Sequence, residues 1–322
     1  MSEPSQLNLI DRAWQQLSKK QGSSLIERAV NGVSVDSASN VPDVPVFNGE
    51  ASDAIALTPG ASRRSQEFTL DLARLATRGI ITPDSRCRLS EEVRLIKQRL
   101  MQRMRLFDEK QSEERAPLDN VIMITSARPY EGKSFVSMNL AMSFIVDEGL
   151  NVLLVDADPI QGTVLSALGI KAERGLVDLL KNPSLDMADF LLRDAHLRFS
   201  VLPGGSTSAS ATELFGSQRM RELMTTMATR YRDRIIIFDC PPVLASTEPL
   251  AIAQFVGQLL FVVEANGTPE RAVRSALDLL APCRNVSLVL NKAVVASGAD
   301  EFGSYYHEYD RRRKKSSRNG AG

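Results

Sequence analysis

The chain has 322 residues, 43% of them hydrophobic and 24% charged, and its 39 basic and 39 acidic side chains leave a formal net charge of +0. This is an ordinary globular composition with room for one large α/β domain and an extension; the balanced charge offers no handle for nucleic acid. No apolar run approaches the roughly 20 residues needed to cross a bilayer, and three isolated cysteines with only two histidines leave little material for disulfides or a Cys/His metal centre, which predicts a reducing, cytoplasmic compartment.

In chain order, MSEPSQLNLIDRAWQQLSKK is an amphipathic pattern without the apolar centre of a secretory leader. One or two short helices are expected within residues 8–30. Residues 31–65 are rich in Ser, Pro, Asp, Gly and Ala and read as a flexible linker. A helical period resumes from Glu67 to about Arg105, with a break near Thr82-Pro83-Asp84. Within it Leu89, Val93, Ile96 and Leu100 share one face. The expected division is an N-terminal extension over 1–85, an α/β domain over 86–297 and a disordered, tyrosine-containing tail over 298–322.

The central part begins with VIMIT (121–125), a wholly apolar run of the kind buried on both faces of a parallel sheet. NVLLVDADP (151–159), LRFSVLP (197–203), RIIIFDCPP (234–242), QLLFVVE (258–264) and VSLVLNK (286–292) follow as strands. Helical patterns over 134–148, 213–231 and 269–281 separate most of them. Alternating strands and helices predict a doubly wound, mostly parallel α/β sheet joined by right-handed crossovers. Ligands in such sheets lie at the carboxyl ends of the strands, so the polar residues after 125, 155 and 239 are expected to converge.

SARPYEGKSF (126–135) stands between the first of these strands and a helix, which is the context a phosphate-cradling loop requires. Backbone amides at the helix start form an anion site, Lys133 adds a charge for the β- and γ-phosphates, and Ser134 offers a hydroxyl suited to Mg²⁺. Ala127 stands where the first glycine of the usual pattern would be, and Tyr130 interrupts the loop. Asp156 and Asp158 end the second strand and Asp239 ends the fourth, supplying the hard oxygen ligands and proton acceptor that Mg²⁺-assisted phosphoryl transfer needs. Three of the five tyrosines, Tyr305, Tyr306 and Tyr309, cluster in GSYYHEYDRRRKK.

Together these motifs resemble the bacterial tyrosine kinases of exopolysaccharide systems, in particular the tyrosine autokinases of PEP-CTERM (exosortase) loci, over roughly residues 86–309. ITSARPYEGKSFVSMNLA is similar to the family's Walker A region, VLLVDADP to Walker A′, IIIFDCPP to Walker B and YYHEY to its tyrosine cluster. The resemblance implies a P-loop NTPase fold of the deviant Walker A, ParA/MinD-like kind. It also implies ATP held by Arg128, Glu131, Gly132, Lys133, Ser134 and Phe135, with Mg²⁺ on Ser134, Asp158 and Asp239.

Lys133, Asp156, Asp158 and Asp239 are then the catalytic set, with Asp156 as the base. The implied activity is ATP-dependent autophosphorylation of Tyr305, Tyr306 and Tyr309 in trans, regulating polysaccharide synthesis or export. Glu91, Arg94 and Lys97 stand where the family has a Glu-x-x-Arg-x-x-Arg ring-assembly helix. A ring-like homo-oligomer and a transmembrane chain-length (polysaccharide co-polymerase) activator are the implied partners, with the protein peripheral to the inner membrane. The alternatives are a partitioning ATPase of the ParA/MinD type, where Arg128 replaces the signature lysine, and a nucleotide-gated scaffold.

Overall fold

The computed structural model describes residues 66–104 and 118–293, except 148, 207–210, 231–233, 282 and 284. The helices expected within 8–30, the linker 31–65 and the tail 298–322 with Tyr305, Tyr306 and Tyr309 lie outside the described residues.

The described strands are β1 (Gln66–Phe68), β2 (Val121–Ser126), β3 (Asn151–Asp156), β4 (Leu192–Asp194), β5 (Phe199–Leu202), β6 (Arg234–Asp239), β7 (Gln258–Glu264) and β8 (Val286–Asn291). They form one sheet in the order β1-β4-β5-β3-β6-β2-β7-β8. Every pairing is parallel except β4 with β5. The expected apolar runs are all strands, but β3 and β6 stop at their aspartates. The prolines that follow, Pro159, Pro241 and Pro242, cannot donate to a ladder. β1 and β4 are too short to show a period, so only the structure reveals them.

The helices are α1 (Leu72–Thr77), α2 (Arg88–Met104), α3 (Lys133–Phe144), α4 (Thr163–Leu168), α5 (Leu176–Lys181), α6 (Ala211–Phe215), α7 (Gln218–Arg230), α8 (Glu248–Ala253) and α9 (Glu270–Leu279). Successive strand side chains point to opposite faces, and they feed two separate cores. Val121, Met123, Leu153, Val155, Ile236, Phe238, Leu259 and Phe261 pack with α5 to α9. Ile122, Ile124, Val152, Leu154, Ile235, Ile237, Leu260 and Val262 pack with α1 to α4. Burial on both faces is why these strands carry no polar alternation.

The folded unit reaches back before the boundary expected at residue 86. Gln66–Phe68 pairs with Leu192–Asp194. The buried Asp194 carboxylate accepts from Leu70 N at 2.7 Å, and Asn139 Oδ1 on α3 accepts from Ile81 N at 2.9 Å. Leu70, Leu75, Ile80 and Ile81 are all core residues. Residues 66–85, which the expected division places in the extension, therefore pack with the α/β unit.

Helix α2 also places apart the three residues that the resemblance groups. Glu91 and Arg94 form a surface ion pair, with Arg94 Nη1 at 2.7 and 2.8 Å from the two carboxylate oxygens. Lys97 instead points inward and is only 6% exposed. Its ammonium donates to Ser143 O at 3.0 Å and Asp147 Oδ1 at 2.7 Å, tying α2 to the end of α3. Each three-residue step falls about 60° short of a full helical turn, so the third member drifts about 120° from the first. Lys97 thus does not extend the exposed Glu91–Arg94 face. Replacing Lys97 with Ala strands a carbonyl and a carboxylate at that joint and should lower unfolding stability by about 2 kcal/mol. Denaturant unfolding checks this; an unchanged midpoint would show that the joint contributes nothing.

Candidate functional site

β3, β6 and β2 are neighbours at the centre of the sheet, and their carboxyl ends build the site. Asp156 and Asp239 face each other in register as the last residues of β3 and β6. The loop from Ala127 to Gly132 follows β2 and leads into α3, which begins at Lys133. Asp158 lies two residues beyond β3, and its N–H donates to Asp156 Oδ1 at 3.1 Å.

The loop's shape comes from its own side chains and from three other elements. Ser126 Oγ donates to Arg128 O at 2.8 Å, and Arg128 N donates to Glu131 Oε2 at 2.8 Å. Thr268 Oγ1 donates to Glu131 Oε1 at 2.5 Å. The segment after β6 is stitched alongside, through Val243 N to Ser126 O at 2.8 Å and Leu244 N to Ala127 O at 3.2 Å. From the end of β8, Asn291 Nδ2 donates to Glu131 O at 2.9 Å and Lys292 Nζ to Tyr130 O at 2.8 Å.

These contacts explain the loop's departures from the usual glycine pattern. Ala127 is fully buried in the core, and its backbone is not among those with positive φ, so no glycine is required there. Tyr130 does adopt a left-handed conformation, φ 67°, which costs a side chain of about 1–3 kcal/mol. The carbonyl clamp from Lys292 holds it, and the ring stands 82% exposed at the mouth. Gly132 is irreplaceable in this geometry. Its φ is 94°, and a Cβ there would come within 2.0 Å of Asn291 Nδ2.

Lys133, Ser134, Asp156, Asp158 and Asp239 are brought together and buried. Lys133 Nζ lies 3.2 Å from Asp158 Oδ2 as an ion pair, outside hydrogen-bond geometry. Asp239 Oδ1 accepts from Ser137 Oγ at 2.9 Å, while its Oδ2 is buried without a hydrogen-bond partner. An unsatisfied buried carboxylate oxygen is costly, and a hard cation is the partner it suits. No cluster of three or more His, Cys, Asp or Glu forms a ready metal cage among the described residues. Two carboxylates and a hydroxyl fit Mg²⁺, which keeps waters and binds substrate phosphates.

The other expected ligands are placed differently. The Arg128 side chain is exposed. Glu131 is buried, with its carboxylate committed to the loop and to Thr268. Phe135 packs on the α1–α4 core beside α2. Asn291, Lys292, Thr268 and Glu264 were not foreseen, and Lys292 also bonds Glu264 Oε1 at 3.1 Å. Only the polar end of VSLVLNK hinted at them.

Burial, then the neighbouring Asp239 charge, raises the Asp156 carboxyl to about 8. Burial raises Asp239 to about 6, opposed by Lys133 and the Ser134 and Ser137 hydroxyls. Cys240 next to it is buried, and its thiol is pushed well up by that burial, which makes it inert. Both acids favour the protonated form when folded, so the folded chain binds more protons than the unfolded one above the ordinary value of 3.8. Stability of the ligand-free chain should therefore fall as pH rises from about 4 towards 8. Asp156→Asn should flatten that fall and exceed the original chain at pH 8 in a thermal unfolding series. A slope unchanged by the substitution would show that the pair is not charged against its burial.

The AAA domain family matches residues 119–266. The tyrosine-protein kinase YwqD of Bacillus subtilis (strain 168) is 33% identical over 186 residues, covering 57% of this chain and 76% of that protein. The tyrosine-protein kinase wzc of Salmonella typhimurium is 29% identical over 59% of this chain but only 26% of its own length. The kinase domain of the Escherichia coli tyrosine kinase ETK, 24% identical, shares the fold with a TM-score of 0.52 over 70% of this chain and 96% of that one. The chain thus spans most of the Bacillus relative and about a quarter of the Salmonella one.

Proposed function

The chain belongs to the bacterial tyrosine-protein kinase family, and on that premise we propose that it transfers the γ-phosphoryl group of ATP to tyrosine. Its own Tyr305, Tyr306 and Tyr309 are the acceptors, reached in trans within a ring-like homo-oligomer. The observation that carries this reading is the buried meeting of Lys133 with Asp156, Asp158 and Asp239 beside an amide-lined loop.

The amides at the start of α3 have no intrahelical acceptors and cradle the phosphates. Lys133 turns its charge from Asp158 to the β- and γ-oxygens. Ser134, Asp158 and Asp239 are the residues that would hold Mg²⁺, which would supply positive charge to offset that of the phosphates. A tyrosine hydroxyl gives its proton to Asp156, whose raised value of about 8 suits an acceptor near neutral pH. The tyrosine oxygen bonds to the γ-phosphorus as the bond to the bridging oxygen breaks, and ADP leaves. Asp239 and Asp158 hold the cation side of the site while Asp156 faces the incoming hydroxyl.

Tyr130 and Ile160 are 82% and 81% exposed, and Leu244 is exposed on the adjoining segment. All three leave the carboxyl ends of β2, β3 and β6, so an apolar rim surrounds the phosphate end. That rim suits a protein segment laid over the site. The reading takes it as the landing place for a neighbour's tail and for the cytoplasmic end of a transmembrane chain-length protein in an exopolysaccharide apparatus. No helix among the described residues is long and apolar enough to cross a membrane.

Two chains test this together. Lys133→Met should lower tyrosine labelling by about 10²-fold or more. Mixed with a chain lacking Tyr305, Tyr306 and Tyr309, the Lys133→Met chain should become labelled on its tail, as read by mass spectrometry. If it stays unlabelled there while the unmodified protein labels itself, transfer is in cis and the ring reading fails.

A further inference from the structure

Towards the start of β8, the second half of α2 and this edge strand enclose a cleft of about 150 Å³. Ile96, Leu100 and Val289 line its apolar wall, and Arg99, Arg103 and Ser287 line its polar side. Arg99 and Arg103 are four residues apart on α2 and therefore share a face. Arg103 Nη1 donates to Ser287 Oγ at 2.6 Å. The serine oxygen accepts that bond, which leaves its hydrogen to donate elsewhere. None of these residues has a part in phosphoryl transfer as derived above.

Two guanidiniums on one face repel each other, and burial followed by the Arg99 charge holds Arg103 below its ordinary value. An anion between them relieves both effects. Guanidinium forks recognise phosphate through paired N–H groups, better than an ammonium does. The apolar wall beside them asks for a ring attached to that anion. Free phosphate or a nucleotide polyphosphate would leave the wall unused.

The chain itself supplies such a group within reach. Lys292 lies at the end of β8, and Tyr305 follows 13 residues later, an extended reach of at most about 45 Å. The return along β8 from Asn291 to Ser287 is about 13 Å. Among the described residues β8 is the last strand in the sheet order, and such an outer edge can accept an extended segment. With Glu308 and Asp310 nearby in sequence, a phosphorylated GSYYHEYD would also be strongly anionic against Arg99 and Arg103.

We propose that this cleft binds phosphotyrosine of the chain's own tail, folded back along β8 after transfer. Binding there withdraws a finished tail from the active sites of neighbouring copies and frees their apolar rims. The source of the phosphotyrosine rests on the kinase reading, whereas the chemistry of the cleft does not.

The test uses full-length Lys133→Met chain, which carries no self-made phosphate, and a fluorescent peptide of residues 303–310 phosphorylated on its tyrosines. Anisotropy should show at least about tenfold tighter binding than for the unphosphorylated peptide, and inorganic phosphate at equal concentration should not displace it. Arg103→Gln should weaken binding about tenfold, with Arg103→Lys recovering only part. Arg99→Gln, at an exposed position, should weaken it as well. Equal binding of the two peptides, displacement by phosphate alone, or indifference to both arginine substitutions overturns the proposal. Tight phosphopeptide binding by a protein that never labels its own tyrosines would instead sink the kinase reading and leave the cleft standing.

Discussion

Asp156 and Asp239 occupy the same rung of adjacent parallel strands, and burial there opposes the negative charge their chemistry needs. This conflict organises the molecule. The register places the carboxyls side by side because β6 inserts between β3 and β2. The two apolar cores then exclude water from above and below the strand ends. Lys133 offsets part of the unfavourable charge from Asp158's side, and an Asp239 oxygen is left without a hydrogen bond. A buried carboxylate oxygen left in this way is costly, and a hard cation is the partner that would relieve it.

The loop opposite the carboxylates depends on distant parts of the chain. β8, at the edge of the sheet, sends Asn291 and Lys292 back to the carbonyls of Glu131 and Tyr130. Thr268, in the turn after β7, ties down the Glu131 carboxylate. The loop can therefore dispense with most of its glycines. Pairing of β8 with β7 is coupled to the phosphate site, and the same strand borders the arginine cleft. Events at the sheet edge and at the phosphate end thus act on one element.

The strands of the central sheet and the convergence of Lys133, Ser134 and the three aspartates were legible in the sequence. Long apolar runs ending in Asp leave few ways to fold, and ligands in doubly wound sheets bind at those ends. The first strand was illegible because Gln66–Phe68 is three residues long and gains its place by pairing with Leu192–Asp194. Lys97 stood with Glu91 and Arg94 by resemblance, and the drift of the helix, about 120° over six residues, turns it inward to Ser143 and Asp147. Glu131 stood among the ATP-binding residues by resemblance, and no local pattern showed that its carboxylate also holds the loop's shape. Asn291 and Lys292 lie about 160 residues from the loop they hold, a distance over which no local pattern operates.

If the molecule is a kinase, its carboxylates face a tyrosine hydroxyl and not a water molecule. A single turnover with ATP labelled in its γ-phosphate, in Mg²⁺, measures this as the partition of label between protein and solution. Most of the label should then be recovered as phosphotyrosine in the tail peptide of residues 303–310. Recovery of all of it as inorganic phosphate, with the chain unlabelled, would make the protein an ATPase instead.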